Sequence, residues 1–352
     1  MKAGITLPEL AKKIEANRTA KADYVAPARQ MRLTTANQLA LDGIGEFTVT
    51  DHTHSQLAEK LAIPIGYYNR MRTEAPDLLA ANVNHWFQKQ PEKRHMVRTR
   101  SGNARAFLSD RYSRIDHEEI ADAVLPILIG EEDLEITSCE LTENRMYIKV
   151  VTPKITGEVK VGDEVQSGLV ISNSEIGLGA VSVRPMVYRL VCKNGMISGS
   201  DRDGALHAAH IGAQATKSET VYQMLSDETL RQDDKVILMK VRDVTKAMLR
   251  GDAFRKTLDR MREAAGEPIT TKTPEKTVEV LAKKTGLFEN ERSSVLQWLL
   301  RDGDLTRYGL VNAITRASQD IADYDRATSL EVLGSRILDM PKSEWRELAE
   351  AA

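Results

Sequence analysis

The stretch GLVISNSEIGLGAVSVRPMVYRLVCKNGM, Gly168 to Met196, constrains the fold more than any other part of the chain. Two runs rich in Val, Ile, Leu and Tyr flank a glycine-bearing turn, and β-branched residues in such runs favour pleated strands. A lone strand pair is marginal in water, so this one predicts a larger sheet. Strand-like runs recur in RHMVRTR, RAFLSDRYSRI and LEITSCELTENRMYIKVVTP, with Ser101-Gly102-Asn103-Ala104 as a hairpin turn between the first two. Within 168–196, Val181, Val183, Val187 and Val191 predict one apolar face. Arg184 falls on the opposite face, and Arg189 sits among the valines. The polar exceptions are arginines and asparagines, with no recognisable nucleophile.

Around this centre the apolar spacing becomes helical. Residues up to about 90 read mostly as helix, in LPELAKKIEAN and SQLAEKLAIPIGYYNRMRTEAPDLLAANVNHWFQK. A short helix, HEEIADAVLPILI, interrupts the strands. From about residue 217 the chain reads as helix to its end: one long helix through MREAA, the break GEPITTKTPEK, then shorter helices bounded by Gly286, by Asn290 as an N-cap, and by Pro341. The expected fold class is α+β, a central antiparallel sheet over about 94–200 flanked by an N-terminal helical segment and a C-terminal helical region. The expected division is 1–90, 91–265 and 266–352.

Composition bounds the function classes. With 352 residues, 41% hydrophobic and 28% charged, the chain has the make-up of a globular protein. No apolar run reaches the roughly 20 residues that span a bilayer, and the opening MKAGITLPELAKKIEANR is charged where a secretory signal needs an apolar core. The expectation is a cytoplasmic protein without a membrane partner. Cys139 and Cys192 lie in strand-like patterns and are expected to be reduced core residues. Charge is unevenly spread: of 49 basic and 51 acidic residues, 18 and 12 fall in residues 1–117, so the remainder carries 31 against 39. A basic concentration lies between Lys89 and Arg114, and it attracts polyanions whatever the net charge of -2.

Phosphate-cradling loops are missing. EIGLGAV lacks the third glycine of a dinucleotide fingerprint, and GAQATKSET lacks the glycine that precedes Lys-Ser in a nucleotide-hydrolase loop. No Gly-x-Ser-x-Gly, His-Glu-x-x-His or Cys-x-x-Cys occurs, so no catalytic residue and no cofactor is assigned.

Three arrangements remain open. In the basic hairpin, alternation puts Arg94, Met96, Arg98 and Arg100 on one face, and Arg105, Phe107, Ser109 and Arg111 on one face of the partner strand. With Arg114, and with Arg184, Arg189 and Lys193 as an extension, these cations would follow a single-stranded backbone while Phe107 or Tyr112 stacks on bases. The competing reading is a solvated face paired with the acidic run Glu131 to Glu135. The second arrangement is a helix-turn-helix in THSQLAEKLAIPIGYYNRMR, with Leu57, Ala58 and Leu61 inward and Tyr67, Tyr68, Asn69, Arg70 and Arg72 presented to a duplex; a plain helical hairpin is its alternative. The third is a metal site in SDRDGALHAAHIG, where Asp201, Asp203, His207 and His210 lie close together and an i, i+3 histidine pair on a helix would share an ion. Ordinary turn chemistry explains Asp-Arg-Asp-Gly equally well.

ARAFLSDRYSRIDHEEI, the 168–196 stretch and YGLVNAITRASQD together resemble the phage/plasmid-like family called domain of unknown function 932, over about residues 94–338. The resemblance implies a bacterial protein encoded by a phage, prophage or plasmid, and it supplies no catalytic residues. Mobile-element context and a basic, strand-rich centre point to a nucleic-acid binder, most simply of single-stranded DNA in recombination or replication, without catalysis. The order of elements is similar to that of single-strand annealing recombinases, which implies a homo-oligomer; this is analogy of pattern alone. A metal-dependent enzyme acting on nucleic acid or nucleotide, and a duplex-binding regulator, are the alternatives.

Overall fold

Two β-sheets, each backed by helices, stand where the strand pattern predicts one. The computed structural model describes residues 1–198, 205–210 and 226–351. After helix α1 (Leu7–Arg18), four strands follow: β1 (Lys21–Pro27), β2 (Met31–Thr35), β3 (Gln38–Leu41) and β4 (Gly45–Val49). These four lie in the segment read as mostly helical. They are four to seven residues long, too short for alternation to stand out.

Helices α2 (Asp51–Lys60), α3 (Ile65–Glu74) and α4 (Pro76–Lys89) come next, then the hairpin β5 (Arg94–Arg100) and β6 (Asn103–Ser109). Ser101 and Gly102 both take positive φ, 50° and 79°, as a tight two-residue turn requires. The hairpin completes the first sheet, in the order β1-β5-β6-β4-β3-β2, with β4 and β6 parallel. Leu57, Tyr68, Leu79, Val83 and Phe87 of the helices bury one face of this sheet against Leu33, Leu39, Val97 and Phe107.

The second sheet runs β11-β10-β9-β8-β7, from β7 (Glu135–Leu141), β8 (Met146–Glu158), β9 (Glu164–Asn173), β10 (Val181–Arg189) and β11 (Asn194–Ile197). A short strand, β12 (Leu206–Ala208), also pairs with β10. Ile148, Val150, Ile171, Val181 and Val183 pack against α1, α5 (His117–Gly130) and α6 (Asp227–Met248). Val187 is buried among the C-terminal helices. Val191 is not part of that apolar face: it is 63% exposed in the turn between β10 and β11. Cys139 is buried in β7, whereas Cys192, also a free thiol, lies half-buried in that same turn.

The described part of the expected long helix is two helices. Gly251, at φ 80°, ends α6 and starts α7 (Asp252–Ala265), and a Cβ there would lie 2.9 Å from Ile155. Then follow α8 (Pro274–Thr285), α9 (Glu289–Asp302), α10 (Arg307–Ala317), α11 (Tyr324–Leu338) and α12 (Lys342–Ala349). Gly286 bounds α8 as predicted, in the left-handed conformation, but α9 begins two residues earlier than expected. The capping position is Phe288, whose N–H is taken by Glu291 at 2.8 Å, and Asn290 is already helical. Among the described residues no helix is long and apolar enough to cross a membrane.

Candidate nucleic-acid interface

The basic hairpin does not present one stripe of cations, because a β-bulge changes its phase. Arg98 pairs with Ala106, yet Thr99 pairs with Ala104, so Arg105 is the extra residue. The bulge puts Arg105 on the side of Arg98 and turns Phe107 to the other side, against Phe87 and His95 in the helix-backed core. Phe107 has no exposed surface on which a base could stack.

Arg98 and Arg105 instead enter a buried charge cluster between the two sheets. Arg98 is 3% exposed; its Nε donates to Asp23 at 2.9 Å, and the guanidinium also reaches Asp116 and the Glu175 carbonyl. Arg105 meets the Glu175 carboxylate at 3.3 Å. The carboxylates of Asp116, Glu118 and Glu175 lie close enough together to hold a metal ion. The Lys21 ammonium occupies that position, at 2.7, 2.8 and 3.3 Å from them. The partners of the hairpin are thus Asp23, Asp116 and Glu175, not the run Glu131 to Glu135.

Glu175 directly follows Asn173-Ser174 at the end of β9, and the chain beyond it plugs into the first sheet: the Ile176 carbonyl accepts from Gln56 at 2.8 Å and also meets the His52 ring. Burial opposes the ionisation of Glu175. Lys21, Arg98 and the His117 N–H outweigh it and hold the carboxyl far below its ordinary range.

Four histidines are also lowered, but here by burial itself, which keeps them neutral. Burial pushes His54, His95, His117 and His210 down to about 4. Because their folded values lie below the unfolded one of about 6.5, the unfolded chain binds more protons between pH 6.5 and 4. Their contribution is complete above that window and is lost as pH falls through it. Urea-unfolding midpoints measured from pH 7.5 to 4.5 are expected to fall steadily, and a flat profile would contradict the burial of these rings.

The remaining hairpin cations are scattered. Arg94 and Arg100 sit at opposite ends of β5, opposite Pro27 and Lys21. Arg111 is half-buried, Arg114 is exposed, and Lys193 lies exposed in the β10–β11 turn of the other sheet. Tyr112 stacks on His210, with centroids 4.9 Å apart, and donates to the Ser174 carbonyl at 2.9 Å. Arg189 grips Asp163 with two hydrogen bonds of 2.6 and 3.0 Å.

In the N-terminal hairpin, α2 and α3 form the expected pair around Leu61–Pro64, with Ala62 at φ 54° in the turn. Leu57 and Ala58 are buried, and Leu61 half-buried. Tyr68 is buried rather than presented, its hydroxyl 2.8 Å from His54. Arg70 is paired with Glu74 and Arg72 with Asp51, leaving Tyr67 and Asn69 exposed.

Asp201 and Asp203 lie outside the described residues. His207 and His210 are not a helical pair: His207 belongs to strand β12, where i and i+3 face opposite ways. His210 is buried, with its ring nitrogens at 3.0 Å from the Ser113 carbonyl and 2.8 Å from Asn173. His207 lines a different feature.

That feature is a cleft of about 430 Å³ between the Arg184-bearing face of β8–β10 and helices α8 and α11. Arg145, Arg184, Arg326 and Arg336 converge on it with His207, and Asp325 is the one carboxylate among its described lining residues. Ser172, Ser182, Thr328 and Ser329 add hydroxyls. Each cation is placed by local structure. Arg145 donates to the Leu178 carbonyl and lies over Gly179, where a Cβ would come within 2.9 Å of its Nη2. Arg326 is held by Glu291 at 2.6 Å, over the Phe288 ring. Arg184 projects from β10 on the face opposite Val181 and Val183, as alternation predicts. Arg336 is exposed on α11.

Asp325 accepts from Tyr147 at 2.8 Å and Asn144 at 3.0 Å, which fixes the cleft wall. Beneath it, Lys149 and Glu331 form a 2.6 Å ion pair with no solvent exposure. Of the cleft residues, the sequence reading includes Arg184 and His207. It misses Arg145, Arg326 and Arg336, which carry no local motif. Lys149 did leave a signal, a cation inside the apolar run MYIKVV.

The molecule is thus an α+β protein of two helix-backed sheets with an arginine-lined cleft on the second. The family model for the domain of unknown function DUF932 matches residues 106–329, more than half of the chain, and the protein belongs to that family. No curated protein and no solved structure matches it.

Proposed function

We propose that this protein binds single-stranded nucleic acid, most simply single-stranded DNA in recombination or replication, with the sugar-phosphate backbone held in the arginine cleft. The observation that carries the reading is the convergence of four arginines and His207 on one polar cleft whose described lining includes a single carboxylate. Guanidinium groups match phosphate oxygens in fork geometry, and neutralised phosphates release counterions. A cleft of about 430 Å³ has the size of a small-ligand pocket and admits single nucleotides of a strand, not a duplex. The reading assigns no bond-breaking step.

The test is fluorescence anisotropy of labelled single and double strands across a salt series. Wild-type protein is expected to prefer the single strand. Arg336→Glu, at an exposed position outside the core, is expected to weaken binding about tenfold and to flatten the salt slope by ~0.7 per lost phosphate contact. A duplex preference would move the site to α3 and Tyr67. No binding to either, with a stoichiometric metal in the purified protein, would favour an enzyme instead.

A further inference from the structure

A second surface, away from the cleft, carries an inference that does not depend on nucleic acid. Helices α5 and α6 lie side by side on the second sheet, and an open groove of about 580 Å³ runs between them. Its floor is apolar: Pro126 and Ile127 from α5, Leu238 and Met239 from α6. On the same two helices Ile129 is 68% exposed and Val236 41%, while Met239 in the floor itself is 48% exposed. Large apolar side chains gathered in one place, bordered by charge, mark an association surface more often than a plain solvated face.

The charges border it unequally. On the α5 side stand Asp122 and Glu131, and on the α6 side Arg242 and Lys246. Among the described residues, Asp122, Glu131 and Lys246 have no ion-pair partner, and Arg242 has only the adjacent Asp243, at 3.5 Å. One rim is therefore acidic and the other basic, with an apolar strip between.

Such a surface is complementary to itself. A two-fold axis running along the groove lays α5 of one copy over α6 of the other, so that each acidic rim meets a basic rim and the apolar strips face each other. An axis across the groove would oppose like charges. The self-complementary arrangement is what a two-fold dimer interface needs, the same patch serving on both subunits.

We infer that the protein forms a two-fold homodimer through the α5–α6 groove, with Met239 at its centre and Glu131 of each copy facing Arg242 and Lys246 of the other. Sedimentation velocity of the full chain tests it. The expected species has twice the 39.2 kDa mass of the chain. Met239→Glu is expected to give monomer, and Arg242→Glu to raise the dimer dissociation constant at least tenfold. Adding Glu131→Arg to Arg242→Glu is expected to restore dimer, because position 131 of each copy then again faces an opposite charge at position 242 of the other. Circular dichroism shows whether Met239→Glu folds, and the rim variants, at exposed positions, decide the matter if it does not. A wild-type monomer at the highest attainable concentration, or a dimer that ignores the rim variants, overturns the inference.

Discussion

Lys149→Met is expected to lower the unfolding free energy by about 3–5 kcal/mol, the range for removing one partner of a buried ion pair. Lys149 and Glu331 have no solvent exposure and meet at 2.6 Å, with Thr328 as a further acceptor for the ammonium and the Tyr324 ring 4.6 Å away. Without the cation, the buried Glu331 carboxylate must either stay charged with the Lys2 N–H, at 2.9 Å, as its remaining donor or take up a proton. The pair ties β8 of the second sheet to α11, the helix that supplies Arg326 and Arg336 to the cleft.

Urea unfolding measures the loss. The paired replacement Lys149→Met with Glu331→Leu is expected to recover most of it, since two apolar residues of similar volume leave no orphaned charge. A single replacement that costs less than ~1 kcal/mol, the range of a surface pair, would show that water reaches the site. Cleft binding should weaken in the single variant more than in the double one.

The second large effect is expected at Arg98, and it separates two roles for that residue. As a phosphate contact, Arg98 would tolerate replacement by Lys with little loss of stability. As the centre of the inter-sheet cluster it cannot: one guanidinium bonds Asp23, Asp116 and the Glu175 carbonyl in three directions, and the single nitrogen of an ammonium does not span them. Arg98→Lys is therefore expected to destabilise the protein by about 2–4 kcal/mol, with Arg98→Met at or above the upper end, because buried acceptors are left unpaired. Urea unfolding at neutral pH checks both. Unchanged stability together with weakened strand binding would return Arg98 to the nucleic-acid interface.

Much of the architecture was legible because it is written in local spacing. The β5–β6 hairpin followed from Ser101-Gly102 between alternating runs, and the Arg184 side of β10 from simple parity. The α+β class followed from helical spacing on both sides of the strands. The bulge at Arg105 was illegible, since one extra residue reverses the faces of a strand without changing its composition. With it went the expected stripe of cations and the stacking role of Phe107. The strands β2 to β4 were missed for a related reason: four or five residues hold too few periods to outweigh neighbouring helical spacing.

Local spacing was enough to place the central strands, the hairpin turn and the helical character of the C-terminal region, and composition to place a basic excess in the first third of the chain. What each cation does depends on long-range packing. A charge in sequence looks the same whether it meets water, a phosphate or a carboxylate from a strand more than seventy residues away, as Arg98 does with Asp23. The cleft exists because Arg145, Arg184 and Arg336 come from β8's approach, β10 and α11, and chain folding, not spacing, brings them to one cavity.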